Sequence, residues 1–246
     1  MKMLGYSERG LVNALLYEIG TNPEAESLMI KFLNLVQYPD KQKCTPPENP
    51  RIETVMIEQS FSDFGDADAV LLGNDGGKKV AFFFEAKVKS SQRKEWTLQK
   101  EWADFEKRHS SSNLFSQLYF KLRMVNELKP SSEDERVEGP KDGIHFSFLP
   151  TRVVRSIGKN KVVHKAARKV IDHRNECYFI AMIPVRPADA KVFFEELLGK
   201  KPENYAGWDS SRYGYVCWEH IEVFCKNNKL VRTMEIFEFN KGQIYE

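Results

Sequence analysis

The sequence predicts a mixed α/β fold in which helices flank a central mixed β-sheet, and three observations carry this prediction. The chain opens with two helical segments, of which the first has a clear apolar stripe. Three strand-like runs then follow one another directly, as in an antiparallel meander. Further along, a wholly apolar run of strand length lies between helical segments, which is typical of a strand buried on both faces.

The first helix is expected over about residues 7–19, and it carries one acid on its apolar side. At 100° per residue, Glu8 lies in the middle of the stripe that is formed by Leu11, Val12, Leu15, Leu16 and Ile19. A glutamate in this place either reaches water at the helix end, where it complements the helix dipole, or points into a polar site. A second helix is expected over about residues 24–36.

The three strand-like runs are ETVMIEQSF, DADAVLLG and KKVAFFFEAKV, and NDGG between the last two predicts a hairpin turn. Alternate residues of a strand share a face, so Glu85 and Lys87 point to one side of the third run. By the same rule Asp66 and Asp68 share a face of the second run. The hairpin is therefore expected to bring carboxylates and an ammonium together at one edge of the sheet.

The remaining segments extend this core to the C-terminus, and the whole chain of 246 residues is expected to form one domain. Residues 1–128 are assigned to the core with the candidate site, 129–143 to an exposed polar loop, and 144–246 to the remaining sheet and helices. From residue 92 onward the expected elements are helices over about 92–108 and 113–128, a short strand in HFSFLP, a helix near 162–172, a buried strand in CYFIAMIPV, a helix in ADAKVFFEELLG, a strand near Tyr213, a helix in CWEHIEVFCK and a strand in TMEIFEF.

Composition excludes several kinds of site. The four cysteines include no C-x-x-C pair and the five histidines show no metal-ligand spacing, so the sequence predicts no zinc site. No apolar run approaches the roughly eighteen residues that argue for a membrane span. Charge interrupts the N-terminus before any signal-like apolar run develops, so we expect reduced cysteines, a cytoplasmic location and no membrane partner.

One segment of the chain is strongly basic although the formal net charge of the whole is only +2. Residues 152–174 carry eight Lys or Arg against one acid, Asp172, so this segment alone is +7. It is interpreted either as an ordinary solvated basic helix or as a surface that contacts a nucleic-acid backbone. The candidate nucleic-acid contacts are Arg152, Arg155, Lys159, Lys161, Lys165, Arg168 and Lys169.

The acids and the lysine of the hairpin suit metal-assisted chemistry on a phosphate. Mg²⁺ is held by one or two carboxylates with waters completing its shell, and water bound to a metal is more acidic. A nearby lysine can orient such a water or offset charge on the phosphate. Asp68 and Glu85 are the candidate metal ligands, although Asp66 leaves the choice of aspartate open, and Glu8 is a candidate for the same metal or a second one.

These residues carry a family resemblance. GDADAV followed by FFFEAK resembles the D…(E/D)-x-K signature of the PD-(D/E)XK, or restriction-endonuclease-like, nuclease superfamily, with Asp68 as the aspartate and Glu85 and Lys87 as E-x-K. The match departs from the pattern at Ala67, where the proline of the signature is missing. The iron–sulphur branch is excluded, because it uses four closely spaced C-terminal cysteines that this chain lacks.

Two helices extend the resemblance. SERGLVNALLYEIG is similar to the first helix of archaeal Holliday-junction resolvases, in which a glutamate is followed by an arginine, as Glu8 is by Arg9 here. In many members a later helix supplies a glutamine or lysine near the site. Here Gln117 and Lys121 stand one turn apart at the edge of an apolar stripe, and Gln117 is taken as the candidate.

The resemblance implies a restriction-endonuclease-like core and a nuclease that hydrolyses DNA with Mg²⁺, or with Mn²⁺ in its place. The catalytic residues that it implies are Glu8, Asp68, Glu85, Lys87 and Gln117. A homodimer is compatible with it, because double-strand cutters often pair two single-strand sites. The alternatives are an inactive nuclease-fold module that binds nucleic acid or a protein, and a metal-dependent phosphoesterase for small molecules.

Overall fold

The protein folds into a five-stranded mixed sheet with helices on both faces. The structure is a computed structural model, and it describes residues 5, 7–39, 45–89, 96–107, 112–132, 135–146, 153–197 and 208–244. In chain order the elements are α1 (Ser7–Gly20), α2 (Ala25–Leu33), β1 (Arg51–Ser60), β2 (Asp66–Asp75), β3 (Lys78–Ala86), α3 (Leu98–Lys107), α4 (Leu114–Glu127), β4 (Lys129–Pro130), β5 (Val137–Glu138), β6 (Ile144–Phe146), β7 (Val153–Arg155), α5 (Lys161–Ile171), β8 (Cys177–Ile183), α6 (Pro187–Leu197), β9 (Tyr213–Cys217), α7 (Trp218–Asn227) and α8 (Val231–Phe239).

The central sheet joins an antiparallel half to a parallel half. Its strand order is β1-β2-β3-β8-β9. β1, β2 and β3 form the antiparallel meander, whereas β3, β8 and β9 run parallel to one another. The predicted fold class, a mixed sheet flanked by helices, is confirmed. β3 lies in the middle of the sheet, where its antiparallel and parallel neighbours meet.

The phenylalanine run explains why β3 is central, because its side chains fill both faces of the sheet. Phe83 stacks on Phe179 of β8 on the face that α3, α4, α5 and α6 cover. Phe82 stacks on Tyr178 on the other face, which α1, α2, α7 and α8 cover. Burying one aromatic side chain stabilises a fold by roughly 1.5–3 kcal/mol, so this run anchors both layers.

The predicted hairpin between β2 and β3 is confirmed. Gly76 and Gly77 form its turn with φ values of 56° and 92°, which is the left-handed region that a two-residue hairpin turn requires. Asn74 Oδ1 accepts a hydrogen bond from Gly77 N at 2.7 Å and closes the turn. This turn sets the register of the hairpin, which runs from the pair of Asp75 with Lys78 to the pair of Ala69 with Phe84.

The N-terminus of α1 is tied to the C-terminus of α8. Asn240, which is 2% exposed, donates through Nδ2 to the carbonyls of Gly5 and Ile236 at 2.9 and 2.8 Å. Its Oδ1 accepts from Ser7 N at 3.2 Å. The predicted apolar stripe of α1 is buried as expected. The first turn of α1, which carries Glu8, is therefore held in place by the last helix.

The prediction of a strand in TMEIFEF is wrong, since these residues lie in α8. The buried positions Thr233, Ile236 and Phe237 have helical spacing, and Glu18 of α1 accepts hydrogen bonds from the first amides of the helix, Arg232 N and Thr233 N. A distant acid thus caps a segment whose composition also suits a strand.

Two further segments differ in detail from the prediction. The polar segment 129–143 contains the two-stranded ribbon of β4 and β5, in which Val137 is buried. The helix expected over 92–108 is observed as α3, and residues 92–95 and 108 lie outside the described part of the chain. None of the described helices is long and apolar enough to cross a membrane.

The tie between α8 and α1 makes a prediction about stability. Replacing Asn240 by alanine removes three hydrogen bonds and leaves buried groups without partners, so the free energy of unfolding should fall by about 2–3 kcal/mol. Asn228 ends α7 with similar backbone angles, but its side chain makes only the local bond to Phe224 O. Asn228→Ala should therefore cost about 1 kcal/mol in urea denaturation. Equal losses in the two variants would contradict the tie.

Candidate active site

Asp68 and Glu85 lie opposite each other where the β2–β3 hairpin opens. The β2–β3 ladder ends at the pair of Ala69 with Phe84. If the same register is continued by one residue on each strand, Asp68 lies across from Glu85 on the same face of the sheet. Here the carboxylate of Asp68 accepts a hydrogen bond from Ala86 N at 2.7 Å through Oδ2. The Asp66 side chain is exposed. Of the two candidate aspartates, the geometry therefore favours Asp68.

Glu85 is buried and paired with a buried lysine. Its side chain is 1% exposed, and its Oε1 lies 2.8 Å from Nζ of Lys121, whose side chain is 0% exposed. Lys121 projects from the inner face of α4 and also donates to the carbonyl of Asp66 at 2.8 Å. The ion pair joins the central strand to the helix that covers it.

Burial raises the pKa of both carboxyl groups. Loss of solvent raises the pKa of Glu85 to about 7 despite the attraction of Lys121, and the neighbouring Asp68 adds to the rise. The pKa of Asp68 is also raised, mainly by burial, while the hydrogen bond from Ala86 opposes the rise. Ionising these two buried carboxyl groups is therefore costly, and a cation bound between them would reduce that cost.

Lys87 follows Glu85 on the same face, and two groups near the start of α4 bind its ammonium. Nζ donates to Gln117 Oε1 at 2.6 Å and to the carbonyl of Ser112 at 3.1 Å. The structure thus brings the predicted pair of Lys87 and Gln117 into direct contact. Gln117 accepts a hydrogen bond from Lys87, whereas Lys121, one turn later in α4, forms an ion pair with Glu85.

The backbone of Lys87 is fixed from two further elements. Its N–H donates to Met182 O of β8 at 2.9 Å, and its carbonyl accepts from Trp218 Nε1 of α7 at 2.8 Å. β3 therefore stays paired with β8 after it has parted from β2. The lysine is positioned by the core and not by a free strand end.

Glu8 approaches the same group of charges from α1 on the other layer. Its side chain is half-buried, and its charge contributes to the raised pKa of Asp68. The structure thus brings the five residues that the sequence predicts to be catalytic to one end of the hairpin: Glu8, Asp68, Glu85, Lys87 and Gln117. Among the described residues, no group of three or more His, Cys, Asp or Glu side chains is arranged to hold a metal ion.

One acid near the site, Glu101, is not among the residues that the sequence predicts, and Lys121 is closer to the site than its pattern indicates. Glu101 Oε2 accepts from Leu114 N at 2.7 Å, and its charge interacts with Lys87, while burial raises the pKa of the acid. A signal was present in both cases. Each residue is charged yet stands within or beside the apolar stripe of its helix, where a buried polar partner is expected.

The basic segment begins close to this site. Arg155 donates to the carbonyl of Asp63, and its guanidinium lies 3.8 Å from the ring centre of Phe120. Gly158 N donates to Ser62 Oγ at 2.9 Å. Because residues 62–63 are separated from β2 by only two residues, the loop before α5 is attached beside the acidic end of the hairpin.

The rest of the basic segment leads away from the site. At the end of α5, Asp172 and His173 line a cavity together with Gly77, Lys78 and Lys79, which lie at the far turn of the hairpin. Lys165 pairs with Glu135 at 3.3 Å and Arg168 with Asp172 at 3.4 Å, whereas Lys159, Lys161 and Lys169 are exposed. Arg152 lies outside the described residues. Of the six predicted nucleic-acid contacts that the structure describes, those before α5 lie near the site, whereas Lys169 lies toward the far turn of the hairpin.

Comparisons with known proteins add no identification. No protein-family model matches the chain, and neither a curated protein nor a solved structure matches it. A functional assignment therefore depends on the residues of the site and on their chemistry.

The raised pKa of Glu85 makes a prediction for metal-free protein. A carboxyl group with a pKa of about 7 in the folded chain and an ordinary value of 4.5 binds more protons when folded between those pH values. Its contribution to stability is complete below about pH 4.5 and is lost as the pH rises through 7. We expect the free energy of unfolding, measured in EDTA, to decrease from pH 5 to pH 7.5.

Glu85→Gln is the matched variant for this measurement. It has no carboxyl group to titrate at this position, so its stability should decrease less than that of wild type over the same pH range. The raised pKa values of Asp68 and Glu101 contribute to both curves and cancel in the comparison. Parallel curves for the two proteins would show that Glu85 titrates at its ordinary pKa.

Proposed function

We propose that the protein is a metal-dependent nuclease of the PD-(D/E)XK type that hydrolyses DNA phosphodiester bonds. The observation that carries the proposal is the convergence of Asp68, Glu85 and Lys87 at the open end of the β2–β3 hairpin. Two carboxylates and an ammonium in this arrangement suit in-line hydrolysis of a phosphodiester. The meander followed by parallel strands is consistent with a restriction-endonuclease-like layout.

The donor set fits a hard divalent cation. Mg²⁺ commonly takes one or two protein carboxylates and keeps several waters, so Asp68 and Glu85 suffice without a third acid. A cation already lies against Glu85 in this structure, in the form of the Lys121 ammonium at 2.8 Å. Mg²⁺, or Mn²⁺ in its place, would supply Lewis-acid polarisation of the phosphate and a more acidic water.

The side chains of the chain itself have separate roles in the proposal. Asp68 and Glu85 bind the cation, and Lys87 places a positive charge where the phosphate gains negative charge. Gln117 orients the ammonium of Lys87 through its 2.6 Å hydrogen bond. Glu8 is half-buried at the same end of the hairpin and adds negative charge beside Asp68.

A second candidate is a nuclease-fold module that binds nucleic acid or a protein without catalysis. The observation that favours it is the ion pair of Glu85 with Lys121, which provides Glu85 with a cation that needs no metal. The two candidates differ in one property. The catalytic protein binds Mg²⁺ or Mn²⁺ and cleaves DNA, and the inactive module does neither.

A cytoplasmic location and a homodimer remain parts of the proposal. The location is supported by Cys177, Cys217 and Cys225, which are free and buried. A homodimer would allow two single-strand sites to act on one duplex.

The proposal predicts that metal binding and turnover separate at Lys87. Lys87→Ala should bind Mn²⁺ as well as wild type or slightly better, because a nearby positive charge is gone, while cleavage falls by about 10²–10⁴. Glu85→Ala should lose both. Calorimetry and a plasmid cleavage assay measure the two properties.

Lys79→Ala is the matched control, because Lys79 lies on the same face at the opposite end of β3 and is exposed. It should cleave at the wild-type rate. The assigned role of Lys87 is wrong if Lys87→Ala cleaves as fast as this control.

The position of the basic segment makes a separate prediction about binding. Lys159 and Lys161 lie at the end that is attached beside the site, so replacing both with glutamine should weaken DNA binding and reduce the slope of log K against log salt by about 2. Lys169→Gln, toward the far end of α5, should change the slope little. A slope change of about 1 for Lys169→Gln would show that DNA follows the whole helix, as the sequence alone suggested.

A further inference from the structure

The most unusual group of the site is the ammonium of Lys121, which is completely shielded from solvent. The side chain is 0% exposed, and Nζ lies 2.8 Å from both Glu85 Oε1 and the Asp66 carbonyl. A Cβ atom added to Gly65 would lie only 3.4 Å from Nζ. Lysine is almost never buried completely unless its charge is compensated, so this position is built to hold a positive charge.

The ligands of this ammonium are those of a hard cation. A carboxylate oxygen and a backbone carbonyl oxygen are both typical ligands of divalent metal ions. Asp68, which lies across from Glu85, also interacts electrostatically with Lys121. Lys121 therefore occupies a place where the fold offers oxygen ligands to a metal ion.

The charges that act on Asp68 and Glu85 indicate how many divalent ions the site favours. The carboxylates are Glu8, Asp68 and Glu85, and the cations are Lys87 and Lys121. This set has a net charge of −1 when all groups are ionised. One divalent ion changes it to +1, whereas two would leave +3 at a partly buried site, where like charges repel strongly.

We propose that the Lys121 ammonium takes the place of a second metal ion, so that the site binds a single divalent cation. The inference rests on the proposed metal-dependent function. It adds that a fixed positive charge limits the number of metal ions that the site binds. Lys121 is then a positioning residue, because it holds Glu85 and limits the metal content without touching the substrate.

The test counts bound Mn²⁺ by electron paramagnetic resonance of the free ion, with no substrate present. Wild type should bind one ion for each chain. Lys121→Met keeps an unbranched side chain but removes the charge, and it should bind two. Lys87→Met removes a positive charge from the same set but leaves Lys121 in place, so it should still bind one.

The outcomes distinguish the inference from the proposed function. Two ions in wild type, or one ion in Lys121→Met, would overturn the inference and leave a metal-dependent nuclease intact. Two ions in Lys87→Met would show that net charge, and not the place of Lys121, sets the number. No ion in wild type would overturn the proposed function and the inference with it.

Folding of the variants is checked by circular dichroism before ions are counted. If Lys121→Met does not fold, Lys121→Gln replaces it, since glutamine has no charge but keeps an N–H donor. If neither variant folds, the counts for wild type and Lys87→Met decide, because one ion in both proteins supports the inference and two ions in either protein overturn it.

Discussion

The buried ion pair of Glu85 with Lys121 is the interaction on which the rest of the site depends. It joins the central strand β3 to α4, and both side chains are almost completely shielded from water. Removing one partner of such a pair typically costs about 3–5 kcal/mol, because the other charge is left buried alone. Since α4 also carries Gln117, which binds Lys87, the same pair indirectly sets the position of the lysine. Charge and packing are therefore coupled at this point.

The phenylalanines that stabilise the sheet also create the electrostatics of its edge. Phe83 and Phe84 fill the layers on either side of β3, and the strand continues directly into Glu85. Apolar surroundings raise the pKa of that acid, and the charges of Lys121 and Lys87 offset part of the cost of ionising it. A strand that ended in turn residues would have no such cost. Burial in the core thus favours a positive charge beside Glu85, and Lys121 supplies one.

Much of this arrangement follows from the sequence, because strand alternation places Asp68, Glu85 and Lys87 on one face once the hairpin is recognised. Helical angles alone did not distinguish Gln117 from Lys121, since both stand at the edge of one stripe and only the position of β3 decides which is buried. The prediction of a strand in TMEIFEF is wrong because the helix is capped by Glu18, a residue that is distant in the sequence. One end of the basic segment lies near the site because residues 155–158 are hydrogen-bonded to residues 62–63. No local sequence pattern reveals this tertiary contact.

The most direct test of the account is a crystal structure of the protein grown with Mn²⁺, with an anomalous difference map collected above the manganese edge. We expect a peak within coordination distance of the carboxylates of Asp68 and Glu85, with Lys87 beside it and Lys121 still paired with Glu85. A map without a peak at these two carboxylates, while they keep the contacts described above, would contradict the assignment of a metal-dependent site.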